Sequence, residues 1–493
     1  MSAVKSLLAT LLAFGFISMV GCSDEESDEN PPVISNLSHT NNEKVIGSRT
    51  INFSVDVTDD VGATVMITHN NVEVSSTKTN DTYTASITLE DRDNNDIAVS
   101  ASDADNTTTE TLTLNYPFLT FTDGQAASVV IGQPDFNSFS FNRGGALGGN
   151  GFDGPAGIIV VNNKLYIADA GNSRVLGFNS IPTTYEEGVN ATANFVIGQL
   201  GYETFADGLN ANQLKFPTTL ATDRSVLFVG QGSSTGGRVH MWNAIPESNV
   251  DANNVIGQTE FGVETTGCNQ TTLDDDIDGL YVVDNKLIVS DTSNSRVLIW
   301  NSLPTTNGKA TDVVLGQQSF DFCAANDGND DGDNIDAEDG PSASTLNRPR
   351  SIWSDGTRLI VADNSNRRVL IWNTFPTSHF QAADVVLGQA DFSSAVNQGA
   401  PTTTAISATA LASNGNQLFV SDVSNERVLI WDSIPTTAGI WPADGVLGNS
   451  NLNVSDVLNN NAELNRVRSI YIHNDKLFVS DKNDNRVLIF KAQ

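Results

Sequence analysis

Internal repetition is the feature of this sequence that most restricts its fold. A string close to Arg-Val-Leu-Ile-Trp occurs six times, at intervals of 64, 58, 72, 59 and 59 residues. We number the repeats 1 to 6 by its arginines, which are Arg174, Arg238, Arg296, Arg368, Arg427 and Arg486. A second string, close to Val-Leu-Gly-Gln, also occurs six times, with glycines at Gly132, Gly198, Gly257, Gly316, Gly388 and Gly448. Repeats of this length bury their apolar faces against their neighbours, so the chain is built from stacked, similar units.

Each repeat contains four strand-like runs of residues. In repeat 4 they cover residues 350–353, 359–363, 368–372 and 385–387. The third run is apolar on both faces, which is typical of a strand whose sheet lies between two other sheets. Six four-stranded sheets at this spacing predict an all-β fold, a six-bladed β-propeller.

The two ends of the repeat region predict how the ring closes. The first Val-Ile-Gly-Gln string precedes any inner strand, and the last repeat ends at Phe490 without an outer strand. The spare N-terminal strand at 127–133 is therefore expected to complete the last blade, formed by residues 467–490. This exchange would tie the two ends of the propeller together.

A spacing that recurs within the repeats resembles a known family. The pattern Asp-x-x-Asn-x-Arg-Val, which occurs at Asp169, Asp291, Asp363 and Asp422 and in variant form at Asp481, resembles the NHL repeat. The resemblance covers roughly three quarters of the chain, and it implies a six-bladed propeller at 118–493. Repeat 2 departs from it, because Gln231 replaces the Asp and the loop to Arg238 is longer. NHL-type propellers include protein- and RNA-binding modules, and related propellers include lyases and lactonases, so the resemblance implies fold more than activity.

Residues 31–117 do not contain these repeats and follow a different pattern of apolar and polar residues. Apolar and polar residues alternate with period two, as at 51–57 and 83–89. This pattern predicts an all-β sandwich, and the stretch resembles bacterial Ig-like spacer domains. Such a domain is expected to hold the propeller away from a membrane.

The N-terminal residues indicate export and lipid anchoring. Residues 1–22 resemble a lipoprotein signal peptide, with an apolar run that ends at Cys22 as the acylated residue. An acidic tether at 23–30 follows. The expected location is the outer membrane or cell surface, with its side left open and plain secretion as the alternative. The net charge of −33 disfavours nucleic acid as a partner, and the chain is expected to be a monomer.

An acidic insertion between repeats 3 and 4 suggests a calcium site. Its spacing of oxygen-bearing side chains around Gly332 fits a calcium-binding loop, although no flanking helices are expected. The candidate ligands are Asp327, Asn329, Asp331, Asp333 and Glu338. The alternative is a solvated acidic loop that binds no cation.

Cys268 and Cys323 are expected to form a disulfide. Both follow an outer strand and precede the next inner strand, in consecutive repeats, so they lie on the same side of the predicted ring. An exported protein reaches a compartment in which such a bond persists.

Charged residues mark the predicted start of three inner strands. Aligning the repeats on their Asp places Arg348 and Arg350 there in repeat 4, and Arg466 and Arg468 in repeat 6. Repeat 3 places two aspartates, Asp276 and Asp278, at the same positions. Arg350 and Arg468, with Arg348, Arg466 and Asp278, are the candidate residues for binding a carboxylate or acidic sugar at the channel. The alternative is that these arginines form ion pairs with Asp276, Asp278 or the acidic insertion.

No residue pattern indicates a catalytic centre. The five histidines are scattered, and no nucleophile motif or phosphate-binding loop occurs. Two functions stay open. The favoured one is a non-catalytic, surface-anchored module that engages a protein or glycan through its loop face. The alternative is a calcium-dependent propeller hydrolase or lyase, similar to lactonases, with its site at the central channel.

Overall fold

The computed structural model describes residues 30–45, 50–59, 62–89, 92–116, 118–232, 236–329, 339–397, 399–455 and 461–493. These residues form two compact units, the first ending at Tyr116 and the second reaching from there to Gln493. The predicted signal peptide, Cys22 and the tether up to residue 29 lie outside the described residues. Within them, no helix is both long enough and apolar enough to cross a bilayer.

The first unit is built from two β-sheets. Its described strands are β1 (Val33–Ser35), β2 (Glu43–Lys44), β3 (Thr50–Thr58), β4 (Thr64–His69), β5 (Val72–Val74), β6 (Ser76–Thr79), β7 (Thr82–Thr88), β8 (Arg92–Ser102) and β9 (Thr107–Tyr116). One sheet has the order β1-β3-β7-β6 and the other β2-β9-β8-β4-β5, with β2 parallel to β9. Alternate residues of β3 and β7, including Phe53 and Ile87, are buried. The period-two pattern therefore reflects sheets with one buried face.

The regular secondary structure described in the second unit is almost entirely β-strand. Its described strands are β10 (Val129–Ile131), β11 (Pro155–Val161), β12 (Lys164–Asp169), β13 (Arg174–Phe178), β14 (Phe195–Ile197), β15 (Pro217–Thr222), β16 (Leu227–Gln231), β17 (Arg238–Trp242), β18 (Asn254–Ile256), β19 (Ile277–Val283), β20 (Lys286–Asp291), β21 (Arg296–Trp300), β22 (Val313–Leu315), β23 (Pro349–Ser354), β24 (Leu359–Asp363), β25 (Arg368–Trp372), β26 (Val385–Leu387), β27 (Ala408–Ser413), β28 (Leu418–Asp422), β29 (Arg427–Trp431), β30 (Gly445–Leu447), β31 (Val467–His473), β32 (Lys476–Asp481) and β33 (Arg486–Lys491). A short helix, α1 (Tyr185–Val189), and 3-10 turns at Phe141–Gly144, Ala170–Asn172 and Val423–Asn425 complete it.

The strands of this unit form antiparallel sheets of four. We number them by repeat: sheet 1 is β11–β14, sheet 2 is β15–β18, sheet 3 is β19–β22, sheet 4 is β23–β26, sheet 5 is β27–β30, and sheet 6 is β31–β33 with β10. The first strand of each sheet contacts the first strand of the next, and β31 contacts β11. Over the described residues the sheets thus form a closed cycle around a central channel, an arrangement consistent with a β-propeller.

The N-terminal strand β10 completes sheet 6. It pairs antiparallel with β33, and Val130 lies opposite Leu488. This is the strand that the sequence placed at 127–133. Because the start and end of the unit share one sheet, the chain closes its own ring.

Apolar third strands hold neighbouring sheets together. All five residues of β25 are buried, and the same is true of β29. Ile371 from sheet 4 and Val420 from sheet 5 belong to one apolar cluster between these two sheets. Burial of such strands on both faces removes apolar area from water and provides the main stabilisation of the ring.

The inner strands approach so closely that a side chain is excluded at one position. A Cβ atom on Gly279 would lie 2.0 Å from the carbonyl oxygen of Arg350 in the neighbouring strand. Gly279→Ala is therefore expected to lower the free energy of unfolding by about 1–3 kcal/mol, as overpacking does. Gly201→Ala is the control, because its added methyl group meets nothing within 4 Å. Denaturant unfolding measures both variants, and equal stabilities would show that the strands have room to separate.

Candidate functional site

A β-bulge occurs at the start of the inner strand in every sheet of the second unit. The register shifts between Ile277 and Gly279 in sheet 3, and at the equivalent place in the other five inner strands. A bulge removes one residue from the regular pairing and redirects its side chain. The residues beside these bulges include Asp278, Arg350 and Arg468, so the local irregularity presents these charges at the channel.

Asp278 joins three sheets through two arginines. Its Oδ2 lies 2.8 Å from Nη1 of Arg350, and its Oδ1 accepts a hydrogen bond from Nη2 of Arg468. Sheets 3 and 6 lie opposite each other in the ring, so the Asp278–Arg468 pair crosses the channel. The structure thus pairs both arginines that the sequence assigned to a ligand, as in the alternative that the sequence left open.

The Asp278 side chain is only 2% exposed. Burial alone would raise the pKa of this carboxyl group, but Arg468 and Arg350 outweigh it and hold the pKa below its ordinary value. One carboxylate faces two guanidinium groups, and Nε of Arg350 has no partner among the described residues. The centre of the ring therefore carries an excess of positive charge.

Further cations surround this pair at the mouth of the channel. Arg348 donates to Oδ2 of Asp276 at 2.9 Å, with both side chains 42% exposed. Arg466 is exposed and forms no ion pair with a described residue. The neighbouring Asp275 accepts a hydrogen bond from the backbone N–H of Gly236 and forms no ion pair with a described residue.

Lys482 is the mouth residue that sequence reasoning missed. It follows β32 directly, and its Nζ lies 5.7 Å from the centre of the Phe216 ring. Burial, with the charges of Arg468 and Arg466, lowers the pKa of Lys482 to about 8. The equivalent residues after the second strand of the other sheets are uncharged, namely Ala170, Gly232, Thr292, Asn364 and Val423. Comparing this position across the repeats would have identified it.

We call the residues Arg348, Arg350, Arg466, Arg468, Lys482, Asp276 and Asp278 the mouth cluster. It holds five cations and two carboxylates on a chain whose net charge is −33. Arg348, Arg466 and the adjacent Phe216 have φ angles of 52°, 64° and 49°. Bulky residues adopt this left-handed conformation at a cost, and such residues occur often where ligands are held.

Two tyrosines reach into the channel beyond the ion pair. Tyr281 and Tyr471 each lie three residues after Asp278 and Arg468, on the same opposed strands. The Tyr471 hydroxyl donates to the carbonyl of Val160 at 3.2 Å. Burial, and then the proximity of Tyr471, raises the pKa of Tyr281. The ion pair and the two tyrosines thus occupy successive positions along the inner strands, and the mouth cluster lies at the end where these strands begin.

The repeated Asp and Arg of the motif form internal pairs. In sheet 3, Nε of Arg296 lies 2.8 Å from Oδ2 of Asp291, and both side chains are fully buried. Asn294 donates to the same oxygen, and the backbone N–H of Asp274 donates to the other. Equivalent pairs occur in sheets 1, 4, 5 and 6. These groups satisfy one another, so their role is to join each hairpin to the loop that leads into the inner strand of the same sheet.

Cys268 and Cys323 are joined by a disulfide, with their Cα atoms 6.1 Å apart. The bond links the loops that precede sheets 3 and 4. It closes a loop with a sequence separation of 55 residues.

Removing this bond is expected to destabilise the second unit. The double variant Cys268→Ser/Cys323→Ser should lose about 2–4 kcal/mol of unfolding free energy, because its unfolded chain is less restricted. Denaturant unfolding of the variant and of the oxidised wild type measures this loss, and reduced wild-type protein, as the control, should match the variant. Wild-type stability in the double variant would contradict it.

The predicted calcium loop is only partly described. Asp327 is 1% exposed, and Asn329 is also described. Asp331, Asp333 and Glu338 lie outside the described residues. Within the described part of the chain, no three His, Cys, Asp or Glu side chains form a metal-binding group. Calcium binding at 327–338 stays a prediction.

No protein-family model matches this chain, and no curated protein matches it in sequence. Comparison with solved structures gives matches at low sequence identity. An auxiliary nutrient binding protein from Bacteroides thetaiotaomicron VPI-5482 is 10% identical, with 95% of this chain and 99% of the other covered and a TM-score of 0.40. The PQQ-bound aldose sugar dehydrogenase from Streptomyces coelicolor is 12% identical. The match covers 75% of this chain and 99% of the dehydrogenase, with a TM-score of 0.39. The titin M4 domain is 20% identical over 17% of this chain and 94% of its own, with a TM-score of 0.15. These scores carry no functional assignment, and the NHL resemblance stays a prediction from the motif.

Proposed function

We propose that this chain is a surface-anchored binding module, a six-bladed NHL-like propeller on an Ig-like spacer, that captures an anionic ligand at the mouth cluster. The ligand we favour is a glycan bearing carboxylate groups. The observation that carries the proposal is the excess of cations at the channel mouth of a strongly acidic protein. Lipid attachment through Cys22 would hold the module at the outer membrane or cell surface.

The arrangement of charges supports an anionic ligand. Arg466 is exposed and unpaired within the described residues, and Lys482 is crowded by two guanidinium groups. Holding like charges together destabilises the free protein, and an arriving carboxylate would relieve that repulsion. A guanidinium group also binds carboxylate through two parallel hydrogen bonds, which gives geometric selectivity.

Exposed aromatic residues support a ligand with ring faces or apolar edges. Phe216 is 39% exposed and lies beside Lys482, so a cation and an aromatic face adjoin each other. Phe139, Phe141 and Phe205 are also exposed, in the loops that lead from an outer strand to the next inner strand. These loops lie on the side of the ring where the inner strands begin. Aromatic rings supply contact area at low entropic cost, which suits the recognition of sugars.

The burial and ion pairing of Asp278 favour a binding function over calcium-dependent catalysis at the channel. A catalytic calcium ion needs several carboxylate or carbonyl oxygens that are open to it. Asp278 is instead buried and engaged by two arginines. Guanidinium groups at this position would repel a cation.

Binding of an acidic oligosaccharide is expected to weaken as the pH rises through about 8. Lys482 is charged below its pKa of about 8 and attracts the carboxylate, and it loses that charge above it. Isothermal titration with an oligogalacturonate between pH 6.5 and 9 should show affinity falling roughly fivefold, since one such contact contributes about 1 kcal/mol. The Lys482→Met variant should bind more weakly at pH 7 and show little change over this range.

Lys309→Met is the matched control, because Lys309 is an exposed lysine outside the mouth cluster. It should keep the wild-type affinity and pH profile. An unchanged pH profile in Lys482→Met would remove Lys482 from the site. Binding of acidic peptides without binding of acidic oligosaccharides would assign the mouth to a protein partner.

A further inference from the structure

Sheet 2 contains a buried arginine without the carboxylate that its counterparts have. Arg238 is 1% exposed. In the other five sheets, Nε of the equivalent arginine lies 2.7–2.9 Å from an aspartate oxygen. Arg238 faces Gln231 across the hairpin instead. Its Nη2 donates only to the carbonyl of Gly236, at 3.5 Å, and its Nη1 has no partner within the described residues.

The Gln231 side chain adds a second unpartnered donor. Its Oε1 accepts a hydrogen bond from the backbone N–H of Lys215 at 2.8 Å. In sheet 4, Oδ1 of Asp363 accepts from the backbone N–H of Asn347 in the same way. This contact fixes the orientation of the amide, because only its oxygen can accept. Nε2 therefore takes the place of the second carboxylate oxygen, and it is buried without a partner within the described residues.

No described side chain near Arg238 replaces the missing negative charge. His240, two residues along β17, is fully buried, and burial with the charge of Arg238 lowers the pKa of His240 to about 3, so it stays neutral. The charge of Glu264 acts on Arg238, but its Oε1 is bound to Nζ of Lys215 at 2.8 Å. A buried guanidinium group that lacks a counter-charge is strongly unfavourable.

We propose that a small inorganic anion of the chloride class binds between Nε2 of Gln231 and Nη1 of Arg238 and supplies the negative charge that an aspartate gives in the other five sheets. Five sheets neutralise this arginine with a covalently attached carboxylate, and sheet 2 does so with a bound ion. Both nitrogen atoms are closed off from solvent, so the ion is small and enclosed. This structural anion site is independent of ligand capture at the mouth cluster.

The test is thermal unfolding of the wild-type chain as isethionate is replaced by chloride at constant ionic strength. An ion that binds only the folded state stabilises it in a saturable way. The melting temperature should rise with chloride by roughly 2–4 °C and then level off. The Gln231→Glu variant carries its own carboxylate, so it should melt higher in isethionate and show no response to chloride.

Two further variants separate this site from general salt effects. Arg238→Met removes the buried charge and should also abolish the chloride response. Lys78→Met, in the first unit, should leave that response intact. Absence of a chloride effect in the wild type, or the same effect in Gln231→Glu, would overturn the proposal.

A crystal grown in bromide provides a readout that does not depend on any variant folding. The proposal predicts an anomalous scattering peak between Nε2 of Gln231 and Nη1 of Arg238. A bromide-containing crystal without a peak at this position would overturn it.

Discussion

Replacing Asp278 with asparagine is expected to lower the free energy of unfolding by about 3–5 kcal/mol, the usual cost of leaving buried charges without their partner. The change keeps the shape of the side chain but removes the charge that Arg350 and Arg468 share. Their side chains are 18% and 15% exposed, so water compensates them poorly. The loss should appear as a large fall in the denaturant midpoint.

Asp276→Asn is the matched control for this prediction. Asp276 pairs with Arg348 at a similar distance, but both side chains are 42% exposed. Its replacement should cost under about 1 kcal/mol, because exposed ion pairs contribute little. The triple variant Asp278→Leu/Arg350→Met/Arg468→Met should regain most of the lost stability. Equal losses in the two asparagine variants would contradict the buried, channel-crossing role of Asp278.

Placing a charge in the closing strand is expected to unfold the ring. Val130 is fully buried in β10 and lies opposite Leu488 of β33. Val130→Asp should cost more than about 4 kcal/mol, because it buries an unpaired carboxylate and separates the strand that joins the two ends of the unit. Limited proteolysis should then degrade the second unit from its ends while fragments of the first unit persist.

The exposed neighbour Ala126 provides the control for the closing strand. Ala126→Asp adds the same charge four residues earlier and should leave the unfolding midpoint within about 0.5 kcal/mol of wild type. A Val130→Asp protein as stable and protease-resistant as Ala126→Asp would show that β10 does not close the ring.

The repeat made much of the second unit predictable. The same local pattern occurs in each repeat, which makes the strand-like runs easy to delimit. The predicted runs at 359–363, 368–372 and 385–387 coincide with strands β24, β25 and β26. The spare strand at the start and the missing strand at the end likewise follow from counting repeats. The disulfide joins two loops at equivalent places in adjacent repeats, which the same alignment brings together.

The connections across the ring were less accessible to sequence reasoning. Asp278 and Arg468 lie 190 residues apart and meet because sheets 3 and 6 are opposite, which depends on the curvature of the closed ring. The sequence identified both residues and left their pairing open against ligand binding. The lowered pKa of Lys482 arises first from burial, which depends on the packed ring and which no local pattern encodes. The structure therefore shifts the ligand-binding hypothesis from Arg350 and Arg468 towards the less engaged Arg466 and Lys482.

The measurement that tests the central claim most directly is calorimetric titration of an acidic oligosaccharide into the Arg466→Gln/Lys482→Met double variant and the wild type at pH 7. The variant removes two cations that no described carboxylate pairs with, so its stability should be close to that of the wild type. The proposed function predicts that the wild type binds oligogalacturonate but not the neutral oligogalactose, and that the double variant loses at least about tenfold in affinity. Lys309→Met should bind like the wild type. Equal affinity of wild type and double variant, or equal binding of the acidic and neutral sugars, would contradict capture of an anionic ligand at the channel mouth.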